Sequence, residues 1–571
     1  MKRYTIALIL LLIIGALFAQ DINSFRNLGS AGALDGELEY AFNPADLNYL
    51  SGVHLFSGLS NLYAKDKLFD NSGENYLLLG VSTDRAFIRN LKAALLFKYV
   101  DSETPLPISY YNGTAFGNLE YRVDQYYDSN NNGLYDRHNS LYQKYRNVET
   151  ENGSDLFLVL SKAISPSFLM GYKLGLVQTQ ESGSAATYSG SNITEGDASG
   201  ESIAIIENQP EMDPSVPPYK REIKENAKYS NEFTQRKIQN QIVLNKTGDK
   251  WNLAAYYTLN LLQDERLIDD KLNLSRKDDS VPQYDDTEEY FNQNKSNGID
   301  NKLYARVKRE FIQNVDFQKT GFVALGIGVK HSLLKIDAKE KTFEKVIDYN
   351  TAVERIQETN TDEYNYTADS NGLGFNADIK LNYPLNNSTI IGLGAFFEAD
   401  KSTQKGDYST TIDYKEYYYH TEDDWNSAVL GTLKELGDIQ IEQSSSKFTV
   451  PVGLEYWFTN NMKWALRCGS RFTRTMSIEK TIYAPTLIEP ARMEQIDTDG
   501  SHYVSYTTSE SVMENTSRRD IVNETELSYG LCFKANKNLK IELINMFENT
   551  SSDIWNASFI KNLKLSFSLV F

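Results

Sequence analysis

The chain has 571 residues, 41% of them hydrophobic, and its mean hydropathy of −0.47 excludes a bundle of membrane helices. Aromatic residues reach 12%, too many for a disordered chain, and 58 basic against 77 acidic residues argue against a nucleic-acid partner. Two cysteines supply neither a disulfide scaffold nor a thiolate zinc site.

At the start, Lys2 and Arg3 precede an apolar run from Ile6 to Phe18, and Ala19 offers a small residue before polar sequence begins at Gln20. Charged start, apolar middle and small-residue end predict a cleaved signal peptide over 1–19. The apolar run is short for the roughly 20 residues of a spanning helix, and no positive flank follows it.

Two motifs come next. Gly29-Ser30-Ala31-Gly32-Ala33 is followed by Phe42-Asn43-Pro44-Ala45-Asp46-Leu47. Together they resemble the N-terminal hallmark of the long-chain fatty-acid transporter family of outer-membrane barrels, a small-residue run and then an Asn-Pro-Ala-Gly-Leu turn. Asp46 stands where that family has glycine. The resemblance implies a plug made of residues 20–50 inside a barrel, and uptake of hydrophobic compounds by diffusion through the wall. Barrels of this style also serve secretion, so the resemblance leaves the cargo open.

From residue 51 onward the recurrent signal is alternation. Trp251, Leu253, Ala255, Tyr257, Leu259 and Leu261 share one face of a strand; so do Leu373, Phe375, Ala377, Ile379 and Leu381. Phe448 to Phe458 and Leu563 to Phe571 repeat the pattern, the last ending on an aromatic residue. Short turns fall near Ser165-Pro166, Thr247-Gly248-Asp249, Leu385-Asn386-Asn387, Thr459-Asn460-Asn461 and Ala535-Asn536-Lys537. Between these hairpins lie long polar stretches, 101–154, 179–231, 263–297, 337–368, 402–443 and 479–520, which read as loops. Short turns on one side and long connections on the other are the pattern of an outer-membrane barrel. The expected fold is all-β: residues 51–571 as one transmembrane antiparallel β-barrel of about 14–16 strands. It has short periplasmic turns, long extracellular loops and an N-terminal plug segment.

The polar faces of the strands say what the interior holds. Arg306, Lys308, Lys330, Lys380, Arg467 and Arg471 fall on the inward face with Glu310, Asp378, Glu455, Glu524 and Glu526. Charges of both signs predict a polar lumen, either wet or paired. Gly326, Gly328, Gly374, Gly392, Gly394, Gly453, Gly469 and Gly530 share that side, where they leave room or let the wall bend.

Chemistry-bearing constellations are few. His331 and Ser332 are neighbours on a strand and therefore point to opposite faces, so no nucleophile–base pair is readable and no enzyme is expected. One loop has metal-ligand spacing. Asp128, Asn130, Asn132 and Asp136 place oxygens at loop positions 1, 3, 5 and 9, with Gly133 at 6 and the Leu134 carbonyl at 7. Ca²⁺ is the ion such a loop takes. Asn139 replaces the usual bidentate Glu, and the alternative is an Asn-Gly turn in an Asn-rich loop. Acidic residues also crowd 264–289, and acids interleave with tyrosines over 414–425; runs of this kind usually face water.

These readings place the chain in the bacterial outer membrane, with outer-membrane lipid and the barrel-assembly machinery as partners. Two function classes stay open: a transporter or channel for hydrophobic or small solutes, and a surface-display barrel whose acidic loops bind calcium, glycans or a protein.

Overall fold

The computed structural model describes residues 23–59, 73–84, 90–105, 107–110, 113–127, 137–195, 219–278, 281–314, 316–349, 355–419, 425–458, 463–507, 514–536, 538–548 and 564–571. The signal segment 1–19 and the calcium-type loop 128–136 lie outside them.

Nineteen strands among the described residues form one antiparallel wall that closes on itself. They begin with β1 (Val53–Leu59), β2 (Gly73–Thr83), β3 (Leu91–Pro105), β4 (Pro107–Tyr110) and β5 (Gly113–Tyr127). Then come β6 (Arg137–Ser165), β7 (Phe168–Glu195), β8 (Tyr219–Thr247), β9 (Trp251–Asp278), β10 (Val281–Ile312), β11 (Gly321–Tyr349) and β12 (Arg355–Pro384). The wall finishes with β13 (Thr389–Tyr419), β14 (Trp425–Trp457), β15 (Trp464–Ile496), β16 (His502–Thr507), β17 (Glu514–Lys534), β18 (Leu539–Glu548) and β19 (Lys564–Val570). β5 continues the line of β3 along β6, with β4 as a short detour, and β16 precedes β17 along β15. That leaves sixteen positions in the ring, the upper end of the sequence estimate.

The seam pairs β1 with β19, His54 opposite Val570 through Leu59 opposite Leu565. Val53 and Phe571 exchange backbone hydrogen bonds of 3.2 and 2.9 Å beside it. Gly52 has φ +85°, and a Cβ there would stand 2.7 Å from the Phe571 carbonyl oxygen, so the seam requires glycine on both counts. Closure of this kind satisfies every strand edge within the bilayer.

The alternation read from the sequence is the lipid face. Leu373, Phe375 and Ile379 point outward on β12, as do Leu253, Tyr257 and Leu261 on β9 and Phe448, Val452 and Tyr456 on β14. Each such band covers about ten residues, the length of a tilted strand crossing a bilayer. The chain is an outer-membrane β-barrel.

The long polar stretches are corrected by the structure. Within the described residues they are mostly not loops but the upper halves of paired strands. β9 and β10 are joined across only 279–280, and residue-by-residue pairing runs from Tyr284↔Arg276 down to Arg309↔Trp251. β12 has 30 residues, roughly 100 Å of strand at about 3.3 Å per residue, of which the bilayer needs about a third. The remainder forms a wall standing in water, where both faces can be polar and the lipid-facing signal disappears. Apolar residues there change sides. On β12 they pass from outward Leu373 to inward Ala368 and Tyr366; on β14, from outward Phe448 to inward Ile441 and Ile439. Ile336, Tyr366, Ala368, Tyr408, Ile439 and Ile441 pack together as an inner patch above the membrane, with Tyr364 and Tyr483 against it.

Candidate functional site

The lower lumen is filled by the N-terminal segment. It contains helix α1 (Phe25–Gly29), helix α2 (Glu37–Phe42) and a single 3₁₀ turn at Leu47–Tyr49. Ser24 caps α1 by accepting the Asn27 N–H at 3.1 Å, and Glu39 reaches back to accept the Gly36 N–H at 2.7 Å. Leu38, Tyr40, Ala41, Leu47 and Leu50 bury themselves against Phe56, Leu78, Leu96 and Phe157 on the wall.

The small-residue run lies where the wall comes closest. A Cβ on Gly453 would stand 2.7 Å from Ser30 Cβ, and one on Gly469 would stand 2.3 Å from the Ser30 carbonyl carbon. These inward glycines make room for the plug backbone.

Two sets of charges fasten the segment. The first is a chain of alternating sign. Arg26 donates from Nε and Nη2 to Glu455 at 2.9 and 3.1 Å, and Arg467 donates from Nε to the same carboxylate at 2.7 Å. Arg467 also binds Glu542, whose Oε2 lies 3.6 Å from Lys540; Lys540 is 3.8 Å from Glu37 on α2. Arg26, Glu455 and Arg467 are each 2% exposed or less, so their charges persist only because each is paired. The second set is smaller. Arg306 grips Asp46 with two parallel hydrogen bonds of 2.7 Å, the bidentate form that orients as well as attracts. Asn43 donates to the same carboxylate at 2.8 Å, and Lys380 reaches Asp35.

Asp46 is where the chain departs from the Asn-Pro-Ala-Gly-Leu pattern. Its φ of −103° needs no glycine, and the carboxylate put there meets the wall. Burial pushes the Asp46 carboxyl up, but the Arg306 guanidinium overcomes this and holds it below its ordinary range.

The other sequence-derived lumen residues fall as follows. Lys308 is buried over the rings of Phe322 and Tyr49, 4.4 and 4.6 Å from their centroids, with Glu310 at 3.7 Å. Lys330 stands higher, 3.8 Å from Asp300. Arg471 binds Glu526. Arg306, Lys308, Lys380 and Arg467 thus meet around the plug, whereas among the described residues Lys330 and Arg471 pair with the wall instead. Sequence reasoning missed Arg26, Asp35, Glu37, Lys540 and Glu542. The alternation of Lys540, Glu542 and Ile544 on one face of β18 was the available signal for two of them.

Above the plug the inner wall differs from side to side. On β9 and β10 it presents buried Asn260, Asn292, Asn294 and Ser296; on β11 to β14 it presents the tyrosine and isoleucine patch. Strand alternation also divides the acidic run of 264–289. Asp264, Asp286 and Glu288 turn inward, while Glu265 and Glu289 turn outward to Lys295 and Lys271 at 3.1 and 3.4 Å. Among the described residues, Asp286, Glu288 and Glu344 offer carboxylate oxygens within 4.8 Å of one another. Cys532 is buried on the inner side and Cys468 faces outward, both as free thiols.

No family model matches the chain, and no curated protein does. Among solved structures, a variant of the ferric enterobactin receptor from Pseudomonas aeruginosa aligns over 91% of this chain and 81% of its own, with 8% identity and a TM-score of 0.24. The FrpB iron transporter from Neisseria meningitidis aligns over 91% and 81%, with 11% identity and a TM-score of 0.25. At such scores neither likeness bears on cargo.

Proposed function

We propose that this chain is an outer-membrane transporter whose solute passes from the extracellular vestibule to a plug that must shift for passage. The observation that carries the reading is the unequal fastening of the plug. Its first half is tied into the buried chain from Arg26 to Lys540, while its second half rests on the Asp46–Arg306 pair and weaker contacts. That half also accepts hydrogen bonds from Lys92 at the Asn48 and Leu50 carbonyls and from Asn245 at the Ala45 carbonyl. With one ion pair against the buried chain of the first half, it is the half that a movable gate would release. The vestibule suits a small amphipathic solute, with amides and hydroxyls along one wall and tyrosines along the other. Uptake of strictly hydrophobic compounds, which the fatty-acid transporter resemblance implies, would use the tyrosine side alone. The second reading, a surface binding barrel, is favoured by strands of 28 to 33 residues that stand far above the bilayer.

Swelling of liposomes in a small uncharged sugar separates the two. Arg306→Ala strands a buried carboxylate, so the informative variant removes both partners: Asp46→Asn with Arg306→Met, a change close to neutral for stability. The double variant should swell several-fold faster than the parent; rates equal to the parent's would favour the binding barrel. The pH dependence has a fixed sign. A depressed carboxyl contributes fully above its unfolded value of about 3.9 and is lost only as pH falls through the lower folded value. The parent's rate should therefore be the same at pH 7 and pH 5 and rise only in stronger acid.

A further inference from the structure

The outer wall carries a groove of about 610 Å³ that the transport reading does not use. Its lining comes from six neighbouring wall strands, β3 and β6 to β10, with no contribution from the opposite wall, and mostly from their outward faces. Register places that lining in two level rows. Phe97, Leu156, Leu176, Ile238 and Leu261 stand directly opposite one another, strand to strand. One step higher, Ser154, Gln178, Arg236, Gln263 and Asn297 do the same. The wall changes from apolar to polar between these rows, so the groove straddles the outer boundary of the bilayer. The four aliphatic residues of the lower row are each at least 40% exposed, open to hydrocarbon.

We infer that this groove holds one phosphorylated lipid of the outer leaflet, its phosphate on Arg236 and an acyl chain along Leu176 and Ile238. Charge complementarity selects the headgroup. Arg236 is the cation of the upper row, flanked by amide donors on Gln178 and Gln263. The nearest outward acid, Glu265, is already engaged by Lys295 at 3.1 Å and Gln293 at 2.8 Å. A guanidinium takes phosphate through two parallel hydrogen bonds, and at a bilayer boundary it does so without losing its hydration entirely. The concavity supplies what a convex barrel wall lacks, apolar contact on more than one side of a chain.

The test uses the full chain folded in a mild non-ionic detergent free of phosphate, with lipid A or its dephosphorylated form added, followed by native mass spectrometry. The wild type should retain one lipid A per chain and no dephosphorylated lipid. Arg236→Ala and Arg236→Glu should lower retention by about tenfold or more, the loss of one charge-assisted contact, and Arg236→Lys by less. Arg309→Ala, whose guanidinium stacks on Trp251 near the opposite rim, should retain lipid A normally. All variants are compared as heat-modifiable, folded barrel. Retention independent of Arg236, or of the phosphate, would overturn the assignment.

Discussion

Glu455→Gln is expected to destabilise the barrel by about 3–5 kcal/mol, the cost of breaking a buried ion pair by removing one partner. Glu455 lies between Arg26 and Arg467 and accepts hydrogen bonds from both, as well as from Trp457 Nε1 at 3.1 Å. Without its charge, Arg467 still has Glu542, but among the described residues Arg26 keeps only the carbonyls of Asp35 and Gln318. Two guanidiniums, each 1% exposed, then face each other out of reach of bulk solvent. Urea titration of the heat-modifiable form measures the loss. Adding Arg26→Met should restore more than half of it, because the stranded charge is removed along with its partner. A loss below about 1 kcal/mol, the range of exposed pairs, would mean that the site is wet.

Ile379→Arg is the second large effect. Ile379 is 43% exposed in the middle of the outward band that runs from Leu373 to Tyr383 on β12. Arginine at the bilayer midplane of such a barrel costs about 2–4 kcal/mol. Asn376→Arg, three residues away, projects into the lumen opposite Glu398 and should cost less than half as much. A folding titration into vesicles compares the two, and equal losses would mean that the faces of β12 are misassigned.

The contrast between these sites explains what was legible in the sequence. At 373–381 one face meets hydrocarbon and the other a polar lumen, so alternation with a period of two is written directly into the residues. At 402–419 both faces of β13 meet water or the vestibule, and a run such as Lys401, Thr403, Lys405 and Asp407 on the outward face looks like a loop. The information present there was inverted: Tyr408, Ile412 and Tyr414 alternate on the inward side. Strand number and the inward set of charges follow from local pattern. The partnerships do not, because Asp46 meets Arg306 and Arg26 meets Glu455 only after the ring has closed. Local sequence shows that Gly453 and Gly469 face inward, but not that the backbone of Ser30 takes up the space they leave.

The role proposed for residues 24–50 is that of the barrier in the lumen. Its most direct test is conductance in planar bilayers, comparing the full chain with one lacking those residues. Removing the segment lets water into the lower lumen, so Glu455, Arg306 and Lys540 become hydrated rather than stranded, and the barrel wall keeps its ladder of backbone hydrogen bonds. A silent full-length chain and steady, ohmic current from the shortened one are the expected results. A full-length chain that conducts as well as the shortened one, or a shortened chain as silent as its parent, would contradict that role.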